Sequence, residues 1–259
     1  MSDTVLLNRD GAIATVVLNR PDKLNALNKA MWRRLGETVE ALSADDALRC
    51  VVLRGAGGRA FASGADITEF ADQRADADGA RAYNAVVERA IAALAGCRHP
   101  TVALIEGVCV GGGLEIAAFC DLRICGVSSR FGVPINRLGL VMGYDELRGL
   151  LALVGRAATL EILLEGRVFD AEEALAKGLV TRVVADHRVA DEAYATARRI
   201  AEGAPLVARW HKKFVRRLDD PAPLTTAEIE ETLACYDSDD FREGYRAFLE
   251  KRKPTFKGS

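Results

Sequence analysis

The chain has 259 residues, 28% of them charged, with a formal net charge of −2. That length buries a substantial core, and the composition excludes a disordered, collagenous or disulfide-scaffold chain. No excess of basic charge points to nucleic acid or to an anionic membrane as the main partner, so a small, discrete ligand is expected.

From Thr4 to Asn19 two β-rich runs surround the Arg9-Asp10-Gly11 turn, and Pro21-Asp22 breaks the pattern. A helix is predicted from Asn28 to Leu42, with Met31, Leu35, Val39 and Leu42 on one face. Three apolar runs, Cys50 to Leu53, Thr101 to Ile105 and Leu122 to Cys125, are too short for helices and read as buried strands. Their alternation with helical segments implies βαβ units and an α/β chain with mostly parallel pairing. After about Asp145 the strand signal fades. Leu206, Trp210, Phe214 and Leu218, at steps of four, mark a helical C-terminal region, with a turn at Asp219 to Pro223. No internal sequence repeat is evident. No apolar run reaches the roughly 18 to 20 residues of a spanning helix, and the first residues lack a secretion signal, so a cytoplasmic protein is expected. The six cysteines form no C-x-x-C pair, and no metal site is predicted.

Two glycine-containing segments stand out. In Phe61-Ala62-Ser63-Gly64-Ala65-Asp66-Ile67-Thr68-Glu69 small side chains allow a ligand to approach the backbone, and Asp66 with Glu69 fits a capping box. In Gly107 to Ala117 a buried strand runs through Gly111, Gly112 and Gly113 into a helix, where free N–H groups suit a developing anion; close packing alone would also call for such glycines. Gly55 to Ala60 formally fits a dinucleotide fingerprint, but no helix opens after it. A nucleophile–histidine triad is unsupported: His99, His187 and His211 have no suitable company. The basic face of Lys212, Lys213, Arg216 and Arg217 reads as solvated, with a phosphate-bearing ligand as the alternative.

The two glycine segments, in this order and about fifty residues apart, resemble the oxyanion-hole signatures of the crotonase (enoyl-CoA hydratase/isomerase) superfamily. The likeness extends to Leu18 to Leu27, to Gly166 to Ala174 with Lys177 to Val180, and to Asp240 to Lys253. The resemblance implies a spiral of ββα units over residues 1–195, a helical trimerisation region over 196–259, and assembly as a trimer or a dimer of trimers. It implies that the Ala65 and Gly112 N–H groups hold a thioester oxygen and that Glu115 is the general acid/base. It further implies that Lys23, Ala26, Ala62, Gly64, Asp66, Ile67 and Gly111 contact an acyl-CoA, and that Phe256 and Lys257, at the end of the last helix, reach the nucleotide of a neighbouring subunit. CoA arrives as part of the substrate, and no separate cofactor is implied.

In Phe131-Gly132-Val133-Pro134-Ile135 the family's second hydratase glutamate is replaced by Ile135. Asn136, Tyr144, Asp145 and Glu146 are the candidate replacements, with an N-cap at Asp145 as the structural alternative. Hydration suits two carboxyl groups, whereas one base can shuttle a proton in isomerisation. Hydratase/isomerase activity is therefore expected, with decarboxylation, thioester hydrolysis or catalytically silent acyl-CoA binding as alternatives.

Overall fold

The computed structural model describes residues 3–259. Strands β1 (Val5–Asp10) and β2 (Ile13–Leu18) form an antiparallel hairpin, turned by Gly11 at φ 56°, where a glycine carries no Cβ penalty. Helix α1 (Lys29–Ala44) starts where Asn28 accepts the Met31 N–H at 2.9 Å, and it buries the predicted Met31, Leu35, Val39 and Leu42.

Three pairs of strands follow, each pair leading into helix. β3 (Cys50–Gly55) and β4 (Ala60–Ala62) precede α2 (Phe70–Gln73) and α3 (Ala77–Gly96). β5 (Thr101–Ile105) and β6 (Val108–Val110) precede α4 (Gly112–Ala118), and β7 (Leu122–Gly126) and β8 (Arg130–Gly132) precede α5 (Tyr144–Glu165). Then come β9 (Phe169–Asp170), α6 (Ala171–Ala176), β10 (Arg182–Val184) and α7 (Val189–Glu202). The first strand of each pair joins a six-stranded sheet of order β1-β2-β3-β5-β7-β10, and the second joins a smaller sheet of order β4-β6-β8-β9. Pairing is parallel except for β1 with β2 and β8 with β9. The expected spiral of ββα units is thus present.

The expectation that strands end near Asp145 needs correction. β10 completes the large sheet beside β7, with Val183 opposite Cys125, and β9 pairs with β8. Segments of two and three residues are too short to display the alternation by which strands are recognised.

Successive residues of β3 face opposite sides of the large sheet. Val51 and Leu53 pack with Leu35, Tyr83 and Leu94 beneath α1 and α3, and Cys50 and Val52 pack with Val189, Ala193 and Ala197 of α7. Each fully buried Leu or Val contributes about 1.5–3 kcal/mol, so both faces anchor the sheet. α7 runs straight through residue 195, and Ala197 beyond that point still packs on the sheet, so the helix belongs to the core.

Helices α8 (Pro205–Arg217), α9 (Thr226–Glu231) and α10 (Asp239–Leu249) form the C-terminal region. They leave Leu218, Ile229, Leu233, Tyr245 and Phe248 exposed, Phe248 to 82%. Phe256 and Lys257 lie beyond α10, in a tail folded back on it: the Lys257 N–H donates to Asp240 Oδ1 at 2.7 Å, and Arg49 donates to the Phe256 carbonyl. No helix among the described residues is long and apolar enough to cross a membrane.

Candidate active site

The turn before α1 sets the position of the first glycine segment. Asn25 is fully buried at φ 56°, a conformation its short amide tolerates. Its Oδ1 accepts the Arg20 N–H at 2.9 Å, and its Nδ2 donates to the Ala60 carbonyl at 2.7 Å and the Ala56 carbonyl at 3.0 Å. The Leu27 N–H donates to Gly64 O at 2.8 Å and the Asp66 N–H to Leu27 O at 2.9 Å. The Ala65 N–H between them has no acceptor among the described residues.

The second glycine segment passes against the first, backbone to backbone. A Cβ on Gly111 would stand 3.5 Å from the Gly64 Cα, and one on Gly64, at φ 102°, would stand 3.8 Å from the Gly112 nitrogen. The Gly111 N–H donates to Gly132 O at 2.9 Å, whereas Gly112 opens α4 and its N–H has no acceptor among the described residues. Two unused amides, Ala65 and Gly112, therefore sit on adjoining backbones.

They lie in the floor of a cleft of ≈ 390 Å³. Trp32, Val110, Val133, Pro134 and Ile135 line its sides, Phe70, Arg74, Ala80, Asn84 and Val87 come from the α2–α3 region, and Ile67, Leu138, Leu140 and Val141 surround its apolar mouth. Glu115, 8% exposed, projects into it, with Oε2 3.7 Å from where a Gly112 Cβ would be. Glu146 reaches the same cleft from the first turn of α5, where its Oε2 accepts the Gly143 N–H at 2.6 Å.

Burial pushes the Glu115 carboxyl up to about 8, the like charge of Glu146 adds to the shift, and Arg74 opposes it. Burial also raises Glu146, against the Gly143 N–H and Arg74. The folded chain holds a proton on Glu115 that the unfolded chain releases near 4.5, so this group's stabilisation is complete below that pH and is lost as pH rises through about 8. Glu115→Gln has no proton to lose. Its melting temperature is therefore expected to exceed that of wild type at pH 9 and to lose the advantage at pH 5, which calorimetry at the two pH values checks.

The family profile described as enoyl-CoA hydratase/isomerase matches residues 8–259. The chain belongs to the enoyl-CoA hydratase/isomerase family. It is 38% identical over 261 residues to a Rhizobium meliloti protein named "Probable enoyl-CoA hydratase", with 98% of each chain covered. It is 32% identical over 254 residues to the short-chain-enoyl-CoA hydratase of Clostridium acetobutylicum, covering 97% and 96% of the two chains. The crystal structure of an enoyl-CoA hydratase/carnithine racemase from Magnetospirillum magneticum superposes with a TM-score of 0.98 at 53% identity, covering 100% of this chain and 97% of that one. This is an enzyme family within the crotonase superfamily, and an acyl-CoA substrate goes with it.

Of the enoyl-CoA hydratase/isomerase residues expected from sequence, Gly64, Ala65, Ile67, Gly111, Gly112, Glu115 and Glu146 line the cleft together. Ala62 is buried behind it, its carbonyl against Gly113. Lys23 and Ala26 lie in the neighbouring turn, where the Leu24 carbonyl accepts the Ser63 N–H at 3.0 Å. Asp66 is engaged by the Thr68 hydroxyl and by Arg20 at 2.8 Å, which hold its carboxyl below the usual range. The expected capping box is half formed. Asp66 caps Thr68, but Glu69 accepts the Lys29 N–H at 2.8 Å instead of reaching back.

Of the four candidate replacements for the missing glutamate, only Glu146 lines the cleft. Asn136 donates to Leu164 O at 2.9 Å and packs on Gly166, tying the 134–138 turn to the end of α5. Tyr144 is 91% exposed, and Asp145 faces Arg148 at 3.9 Å. The N-cap is Gly143, not Asp145. Ile135 lines the cleft as an apolar wall. Sequence reasoning missed Trp32 and did not single out Arg74. Trp32 follows Met31 on the amphipathic α1, a pattern that signals only core, and Arg74 lies in a stretch with no motif.

Proposed function

We propose that this chain hydrates 2-enoyl-CoA thioesters, using Glu115 and Glu146 as a carboxyl pair above an oxyanion hole formed by the Ala65 and Gly112 amides. The observation that carries this reading is the convergence of both carboxyls and both unused amides on one cleft. The thioester oxygen accepts from the two N–H groups, so negative charge developing on it during addition meets donors already in place, worth about 3–4 kcal/mol each in comparable sites. One carboxylate takes a proton from water as its oxygen bonds to the β-carbon. The other carboxyl gives its proton to the α-carbon, yielding the 3-hydroxyacyl thioester. Shifted carboxyls suit this exchange, because each must hold a proton in one step and release it in the other. CoA comes and goes with the substrate, and no other cofactor takes part.

Glu146 thereby restores the pairing that Ile135 removes. A one-base isomerisation on Glu115 is the second reading, favoured by Ile135 itself. Decarboxylation, thioester hydrolysis and silent binding follow it. The exposed apolar face of α9 and α10 supports assembly through the C-terminal helices, as a trimer or a dimer of trimers.

The test is a panel of 2-enoyl-, 3-enoyl-, saturated and malonyl-type CoA thioesters in D₂O, followed by mass spectrometry. Addition of heavy water to a 2-enoyl-CoA is the expected result, whereas bond migration, loss of CO₂ or release of free CoA assigns the other chemistries, and no reaction with binding intact indicates a silent binder. Glu146→Gln is expected to lower hydration about 10²-fold or more while leaving α-proton exchange on a saturated thioester measurable. Hydration at the wild-type rate in that variant rules out the pair.

A further inference from the structure

Arg74 ends α2, its N–H donating to Phe70 O at 2.9 Å, and it points its side chain into the cleft shared by Glu115 and Glu146. The guanidinium lies over the Tyr83 ring, 3.8 Å from its centroid, with the Phe70 ring centroid 5.1 Å away. Its Nε is buried without a hydrogen-bond partner, and no carboxylate among the described residues forms an ion pair with it. Elsewhere in this chain arginines near carboxylates do pair, as Arg167 does with Glu161, Glu165 and Glu173.

The two carboxyls of the cleft do not fill this role. Glu146 is committed to the Gly143 N–H at 2.6 Å, and Glu115 makes no ion pair with Arg74. Arg74 is half-buried, and an alkyl chain filling the largely apolar cleft would strip water from the rest of the guanidinium without offering it a partner. A planar guanidinium whose orientation is already fixed by stacking matches a carboxylate through two parallel N–H donors.

We infer that Arg74 receives a carboxylate carried by the acyl chain, so that the preferred substrates are CoA thioesters of dicarboxylic, not simple alkyl, 2-enoic acids. The inference rests on the proposed acyl-CoA reading of the cleft and adds the substrate class to it.

The test compares kcat/KM for glutaconyl-CoA, which ends in a carboxylate, with that for crotonyl-CoA, which ends in a methyl group. Wild type favours glutaconyl-CoA, and Arg74→Met reduces that preference ratio about ten- to hundredfold, the loss of one charge-assisted pair. Arg74→Lys keeps the charge without the fork and recovers part of the ratio. Because each ratio is taken within one protein, a smaller folded fraction in a variant cancels. A wild-type preference for crotonyl-CoA, or a ratio unchanged in Arg74→Met, overturns the inference. If wild type turns over neither thioester, the proposed chemistry is what fails, and binding decides Arg74 separately. Calorimetry then compares glutaryl-CoA with butyryl-CoA: tighter glutaryl-CoA binding that is lost in Arg74→Met upholds the inference, equal binding overturns it, and so does an Arg74→Met affinity loss of equal size for free CoA and both thioesters, which assigns Arg74 to the CoA phosphates.

Discussion

Exchanging Glu115 for Gln is expected to lower kcat about 10²- to 10⁴-fold, the usual contribution of a positioned acid/base, while affinity for a saturated acyl-CoA is retained. Gln keeps the volume of the side chain and cannot move a proton. The Ala65 and Gly112 amides are untouched by the change, and the burial of Leu114, Ile116 and Ala117 holds α4 in place. Steady-state kinetics on a 2-enoyl-CoA and calorimetric titration with butyryl-CoA separate the two effects. A Gln variant with wild-type turnover would remove Glu115 from the chemistry. A variant that loses binding along with turnover would mean that the carboxyl supports the cleft rather than the reaction.

Gly113→Ala is expected to cost about 10²-fold in kcat and roughly 1–3 kcal/mol in stability, although residue 113 does not line the cleft. Its Cβ would fall 2.4 Å from the Ala62 carbonyl oxygen and 2.9 Å from the Ala62 Cβ, so α4 and β4 must part. Ala65 follows β4 and Gly112 begins α4, and separating those elements moves the two donors away from a common oxygen. Gly96→Ala, at the end of α3, meets nothing within 4 Å and serves as the comparison, with stability equal to wild type or slightly higher. Kinetics and thermal melts of the pair show the difference. Equal behaviour of the two variants would mean that contact between β4 and α4 does not hold the donors.

The sequence displayed those parts of the molecule whose signal is local. α1 shows Met31, Leu35, Val39 and Leu42 at helical spacing, and β5 occupies the predicted Thr101 to Ile105. The short strands β4, β6 and β8 carry three residues each, too few for a period, and the smaller sheet became visible only when the chain path closed around it. Both glycine segments were legible because Gly64, at φ 102°, and Gly111, at φ 52°, adopt backbone conformations that favour glycine. Which polar residue faces the cleft from α5 was not legible. Neighbouring helical residues point about 100° apart, so Tyr144, Asp145 and Glu146 cannot share a direction, and the path of residues 136–143 decides that Glu146 turns inward. Arg74 left no trace in sequence, since its setting depends on Phe70 and Tyr83 arriving from two helices.

The cleft joins a floor of main chain to a roof of side chains. Amide hydrogens at Ala65 and Gly112 belong to the main chain, and no substitution but proline removes them, whereas Phe70, Arg74, Ala80 and Asn84 are side chains of the α2–α3 region outside the buried core. On the proposed reading, reactivity is inherited with the topology, and choice of acyl chain falls to a few side chains on two helices. New acyl preferences could therefore arise here by single substitutions in residues 70–87, with the hydrogen-bond donors of the floor carried forward unchanged.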